Sequence, residues 1–246
     1  MLPKIFFFHN PKAAGSSIIQ AVSELFSASQ RCGNIENNVT QHSKNSGEYE
    51  SFRGFDFYCG HYGVDVFKAV NSGHATITNF RHPFTRIASL YNYFRYEINL
   101  SEEQLQTDTF FAVNAAKTLT FDEFVRSSHP LIEIYIQDHH FRQLTGSGWS
   151  LELHGTIKDA LELVNSMAWF YVAEHPELSM NWGRKVLMLT NSVLPSINVT
   201  TVNKNGLIKV SNLEHTVLKI LADKCHNDLI IYYHAASLLT KRTISA

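Results

Sequence analysis

One stretch near the start, Ile5-Phe6-Phe7-Phe8-His9-Asn10-Pro11-Lys12-Ala13-Ala14-Gly15-Ser16-Ser17, constrains the fold more than any other. The short apolar run Ile5 to Phe8 reads as a buried strand. Pro11 stops it, because proline fixes φ and has no N–H to give to a ladder. Lys12 and five small residues follow. Ile18, Val22, Leu25 and Phe26 then recur at the spacing of one helical face. The stretch is therefore a strand, a small-residue turn carrying one lysine, and a helix. Such a turn presents backbone N–H groups at the positive end of a helix dipole, where a phosphate or sulfate fits. Small side chains let the anion reach the backbone, and Lys12 adds a mobile positive charge. The nucleotide-kinase loop is different, since its lysine follows the second glycine, whereas Lys12 precedes the only glycine here. An ordinary strand–helix turn with an exposed lysine has the same local pattern.

A chain of 246 residues, 44% hydrophobic and 17% charged, is long and apolar enough for one globular α/β domain. A net charge of -1 argues against duplex nucleic acid as partner, so any anion site must be local. Cys32, Cys59 and Cys225 are widely spaced and odd in number, which predicts neither a disulfide framework nor a zinc site. A reducing cytoplasm fits that usage. Neither a signal peptide nor a membrane-spanning run is evident.

Further along, the polar residues 30 to 53 predict a long connection. Phe55 to Gly63 predicts a strand running into a glycine-flanked turn that holds His61. Ala75 to Phe80 predicts another strand, and Pro83 suits the first turn of the helix after it. That helix carries Ile87, Leu90, Tyr91 and Phe94 on one side, with Arg86, Ser89 and Tyr93 on another. Arg81 then lies at the carboxyl end of a strand, where open α/β sheets bind ligands, with Ser89 two turns on as a second phosphate contact. A surface arginine paired to a carboxylate fits equally well. Residues 98 to 118 look irregular. Thr120 and Glu123, Thr156 and Asp159, and Ser211 and Glu214 are expected to open helices. Ile132 to Leu144 is expected to be helical at its end, Trp169 to Val172 and Ile197 to Val202 to be strands, and Leu178 to Leu189 and Asn227 to Leu239 to be helices. Strands alternating with helices predict a single α/β domain over 1–246 with a mainly parallel sheet.

Three of these stretches together, with a fourth further along, carry a resemblance. Phe8 to Ser17 resembles the 5′-phosphosulfate loop of sulfotransferases that use 3′-phosphoadenosine 5′-phosphosulfate (PAPS). Phe80-Arg81-His82-Pro83-Phe84-Thr85-Arg86 with Ser89 resembles their 3′-phosphate element. Tyr58-Cys59-Gly60-His61 is similar to the Gly-His turn of the heparan sulfate 2-O-sulfotransferase group. Arg142-Gln143-Leu144-Thr145-Gly146 resembles a segment of bacterial members. Ala13 stands where the family usually has threonine, and His82 where it has aspartate.

The resemblance implies a P-loop-like three-layer α/β/α fold and transfer of a sulfuryl group from PAPS to an acceptor hydroxyl. A carbohydrate is the favoured acceptor, and adenosine 3′,5′-bisphosphate (PAP) the product. It implies donor binding by Lys12, Ala13, Ala14, Gly15, Ser16, Ser17, Arg81, Ser89 and Lys204, and catalysis by Lys12 and His61. Arg142 and His140 are implied at the acceptor, and Tyr91, Tyr93 and Tyr96 are suited to a glycan. No metal is implied, and a homo-oligomer is allowed. A P-loop-type small-molecule kinase and a non-catalytic PAP-binding protein are the competing readings.

Overall fold

In the computed structural model, residues 3–32, 52–190, 194 and 206–244 are described. Strand β1 (Ile5–Phe8) leads through the small-residue turn into helix α1 (Gly15–Ser23). β2 (Phe57–Gly60), α2 (Val64–Val70), β3 (Ala75–Phe80) and α3 (Pro83–Tyr96) follow. A helical run comes next: α4 (Glu102–Leu105), α5 (Phe111–Thr118), α6 (Phe121–Arg126), α7 (Pro130–Ile136), α8 (His139–Thr145) and α9 (Ile157–Ser166). β4 (Trp169–Val172), α10 (Pro176–Leu187), α11 (His215–Lys224) and α12 (His226–Ile244) complete the described elements.

The four strands form one all-parallel sheet in the order β2-β1-β3-β4, so the fold is α/β and consistent with three layers. Ile5, Phe6, Phe7 and Phe8 are all fully buried. Parallel strands covered on both faces read as continuous apolar runs for this reason. Each buried phenylalanine contributes about 1.5–3 kcal/mol relative to an exposed one. The strand order reverses direction at β1. The chain moves from β1 to β2 on one side, then to β3 on the other, which opens a crevice beyond the carboxyl ends of β1 and β3.

Two apolar clusters build the interior. One packs the sheet against α1, α9, α10 and α12. The other joins α3 to α5, α6, α7 and α11, and is closed by Phe121, Phe124, Val217 and Leu221. Residues 98 to 118 are thus not irregular: they include α4 and α5, and α5 buries Ala112, Val113, Ala115 and Ala116 in this second cluster. The expected capping boxes at Thr120 and Thr156 are present. The one at Ser211 is not. Residues Val210–Asn212 form a 3-10 turn, and α11 begins only at His215 behind Glu214. The expected strand Ile197 to Val202, and most of the polar connection 30 to 53, lie outside the described residues. All three cysteines are free thiols. Among the described residues no helix is long and apolar enough to cross a membrane.

Candidate active site

Parallel register assembles the site. Phe8 pairs with Gly60 on one side and Thr78 on the other, so the next residues of the three strands, His9, His61 and Asn79, lie abreast. The His9 and His61 rings are 4.2 Å apart. Asn79 clamps the turn after β1. Its side-chain amide donates to the carbonyls of Asn10 (2.9 Å) and Ala13 (2.7 Å), and its oxygen accepts from the Asn10 N–H (2.7 Å). The clamped turn is strained, since Lys12 and Ala14 have φ of 63° and 67°, in the left-handed region. Gly15 is required where α1 begins, because a Cβ there would collide with the His9 imidazole. Ala14 occupies the N-cap position with no side-chain hydrogen bond. Ala14 therefore supplies no cap of its own to the first N–H groups of α1, which lie at the cleft.

A cleft of about 940 Å³ lies over this turn. Lys12, Ala14, Gly15 and Ser16 line it from β1 and α1, His61 from β2, and Arg81 and Ser89 from β3 and α3. Residues separated by up to 77 positions thus share one wall. Ala13 and Ser17 are buried and do not line the cleft. Thr85, Ser89, Asn92 and Tyr93 form the stripe of α3 that faces the cleft. Asn92 holds the opposite rim through reciprocal bonds with the N–H (3.0 Å) and carbonyl (3.1 Å) of Ile208. Lys204 lies outside the described residues.

The electrostatics are those of an anion site. Lys12 and Arg81 are both half-buried, and burial, followed by the Arg81 charge, lowers the Lys12 pKa to about 8. The Lys12 ammonium sits 3.9 Å over the Tyr93 ring, a cation–π contact. Arg81 donates from Nη1 to the Lys12 carbonyl (3.1 Å) and from Nε to Thr85 (3.3 Å), and its Nη2 makes no hydrogen bond among the described residues. Burial lowers the Arg81 pKa and the Glu174 charge opposes that. Glu174 accepts from the His82 N–H (3.0 Å), Thr85 (3.2 Å) and Tyr232 (3.2 Å), so it anchors the start of α3. His82 caps α3, accepting from the Phe84 N–H.

His61 Nδ1 is 2.8 Å from the His9 carbonyl. A carbonyl only accepts, so Nδ1 carries the proton and the basic lone pair of the neutral ring is at Nε2. Gln143 donates to the same carbonyl (3.2 Å) and to that of Tyr62 (2.8 Å), tying both histidine-bearing turns to α8.

The acceptor residues implied by resemblance are corrected. Arg142 is 1% exposed and donates to the carbonyls of Gln137 (2.9 Å), Ile134 (2.7 Å), Gly148 (2.6 Å) and Ser150. Its charge answers backbone dipoles, not a ligand. His140 is 3% exposed, bonds Thr78 (3.1 Å) under the sheet and has its pKa lowered by burial to about 3. Tyr91 is buried with its hydroxyl on the Leu119 carbonyl (2.8 Å), and Tyr96 bonds Gly206 (3.0 Å), which leaves Tyr93 as the cleft tyrosine of the three. Arg86, expected on the polar side of α3, is 1% exposed. Sequence reasoning missed Asn79, Gln143, Tyr135 and Trp149. The only signal for Asn79 was a polar residue closing an apolar strand. No family model matches the chain, and no curated protein matches it.

Proposed function

We propose that this protein is a PAPS-dependent sulfotransferase on a P-loop-like fold, with a carbohydrate hydroxyl as the favoured acceptor and the cytoplasm as its place of action. The observation that carries the reading is the pairing of Lys12 with Arg81. Two like charges are held half-buried together at the crevice of the sheet, beside the start of α1. That arrangement is unfavourable alone and favourable around a polyanion.

The residues divide the work as follows. Arg81 and Ser89 hold the 3′-phosphate and so orient the donor. Lys12 and the first N–H groups of α1 stand against the 5′-phosphosulfate, where charge grows as the bond from sulfur to the bridging oxygen breaks. His61 Nε2 takes the proton of the acceptor hydroxyl as its oxygen bonds to sulfur. The products are a sulfate ester, PAP and a protonated His61.

Calorimetric titration tests this. PAP is expected to bind 10- to 100-fold more tightly than AMP, the effect of ~1.5–3 kcal/mol for a charge-assisted contact. Equal affinities remove the 3′-phosphate site. Tighter binding of ATP than of PAP favours the kinase reading. PAP binding without sulfuryl transfer to any hydroxyl favours a non-catalytic binder.

A further inference from the structure

The cleft has an aromatic wall that donor binding leaves unused. Trp149 lies on the loop after α8, and Tyr135 lies on the last turn of α7. Of the three tryptophans, Trp169 and Trp182 are buried at 0% and 5% exposure, and Trp149 alone reaches the cleft. Its ring meets His61 at 6.2 Å and Tyr135 at 5.4 Å, both nearly perpendicular, while fully buried His139 backs it at 5.3 Å.

This wall is built rigidly. Arg142 bonds the carbonyls on either side of Trp149, those of Gly148 and Ser150, and also the Ile134 carbonyl next to Tyr135. Arg86 donates to the Tyr135 carbonyl (2.9 Å). Two buried guanidinium groups therefore fix the backbone under two half-exposed rings. Rigid aromatic surface held before binding is a ligand platform, because little freedom is lost when it is covered. Neither the Tyr135 hydroxyl nor Trp149 Nε1 has a hydrogen-bond partner among the described residues.

We propose that Trp149 and Tyr135 are the acceptor platform, on which the C–H face of an uncharged pyranose stacks with one ring hydroxyl turned to His61. The proposal rests on the sulfuryl-transfer reading and names its acceptor class. A pyranose has apolar faces and a hydroxyl-bearing edge. It matches both the ring surface and the two polar atoms lacking partners, whereas an alkyl alcohol would leave those atoms unsatisfied. Trp149, Tyr135 and His61 carry no fixed charge, and the guanidinium groups behind them are engaged with carbonyls. A uronate carboxylate stacked on these two rings would find no cation on the platform itself, since the cleft's cations, Lys12, Arg81 and Lys209, line it from other elements.

Intrinsic fluorescence tests it, since Trp149 is the one partly exposed tryptophan of the three. Cellobiose, N,N′-diacetylchitobiose, a glucuronate-containing disaccharide, octanol and phenol are titrated into the PAP complex. A neutral disaccharide should change the emission saturably, and Trp149→Phe should abolish that change while PAP affinity stays within twofold. In transfer assays, Trp149→Ala should raise the acceptor KM at least tenfold with kcat and donor KM nearly unchanged, and Trp149→Phe should restore part of the loss. Tighter binding of the uronate, of octanol or of phenol, or an unchanged acceptor KM in Trp149→Ala, overturns the platform. If PAP binds and neither neutral sugar does, the platform falls alone. If the sugars bind through Trp149 and PAP does not bind, the platform stands and the sulfuryl-transfer reading falls.

Discussion

Lys12 shows how a single side chain can be prepared for an anion. Its backbone is held at φ 63°, its ammonium rests on Tyr93, and burial with the Arg81 charge brings its pKa down to about 8. The cation–π contact, worth about 0.5–2 kcal/mol, and the Glu97 charge both favour the ammonium against that burial. Because the folded pKa lies below that of an ordinary lysine, the ammonium form is lost as pH rises through about 8. On the sulfuryl-transfer reading, kcat/KM for the donor should therefore fall above about pH 8. A bound phosphosulfate stabilises the ammonium, so the alkaline limb of kcat should lie at higher pH than that of kcat/KM. Lys12→Arg should remove the limb near 8 altogether. His61→Ala should leave PAP affinity intact and lower kcat by ~10²–10⁴. A near-normal rate in that variant would assign the proton transfer elsewhere.

At the level of the elements, the strands position the site and Asn79 joins two of them. Its three hydrogen bonds tie β3 to the turn after β1, one residue pair away from the contact of Arg81 with the Lys12 carbonyl. Asn79→Leu keeps the volume and leaves two buried carbonyls and one N–H unmatched. It should lower the unfolding free energy by roughly 2–4 kcal/mol and weaken PAP binding at least tenfold at a temperature where the variant is folded. Lost stability with unchanged PAP affinity would make Asn79 a structural residue only. This site also marks the limit of what was legible in the sequence. The apolar run of β1, the breaker Pro11 and the helical spacing after Gly15 are local signals, and they put Lys12 on the turn between β1 and α1, where the structure has it. Pro83 and the run before Arg81 did the same for the second loop. Register is not local. Nothing near Asn79 in the chain says that it faces Asn10 and Ala13, and nothing near Arg142 says that the carbonyls of residues 134, 137, 148 and 150 converge on it. A charged residue surrounded by carbonyls is indistinguishable in sequence from one exposed to substrate, which is why Arg142 and His140 were misplaced. The helices α4 and α5 were missed because α4 is four residues long and the buried face of α5 is mostly alanine, Ala112, Ala115 and Ala116 beside Val113, a weak apolar signal that packing against α3 makes good.

The whole molecule carries a buried ionisable cluster where α8 meets α12. Asp228 accepts from the N–H groups of Phe141 (2.8 Å) and His140 (3.3 Å) and so caps α8, while Asp138 accepts from the Asp228 N–H (3.0 Å) near the start of α12. Burial, followed by the neighbouring Asp138 charge, raises Asp228 to about 6. Beside them His140 is neutral, with its pKa lowered by burial to about 3, and His139 is lowered well below an ordinary histidine. These groups oppose one another in acid. Between about 6.5 and 3 the unfolded chain binds a proton at His140 that the folded chain refuses, so this residue makes stability fall as pH falls. Between about 6 and the ordinary aspartate value the folded chain binds a proton at Asp228 that the unfolded chain does not, which offsets part of that loss. One proton corresponds to ~1.4 kcal/mol per pH unit. His140→Gln can keep a hydrogen bond to Thr78 and removes the titration. Urea midpoints measured from pH 4.5 to 6 should therefore show a flatter decline than the wild type, with the slope of unfolding free energy against pH reduced by about one proton. An unchanged slope would mean that His140 is protonated in the folded protein, and that the cluster tolerates a charge under the sheet.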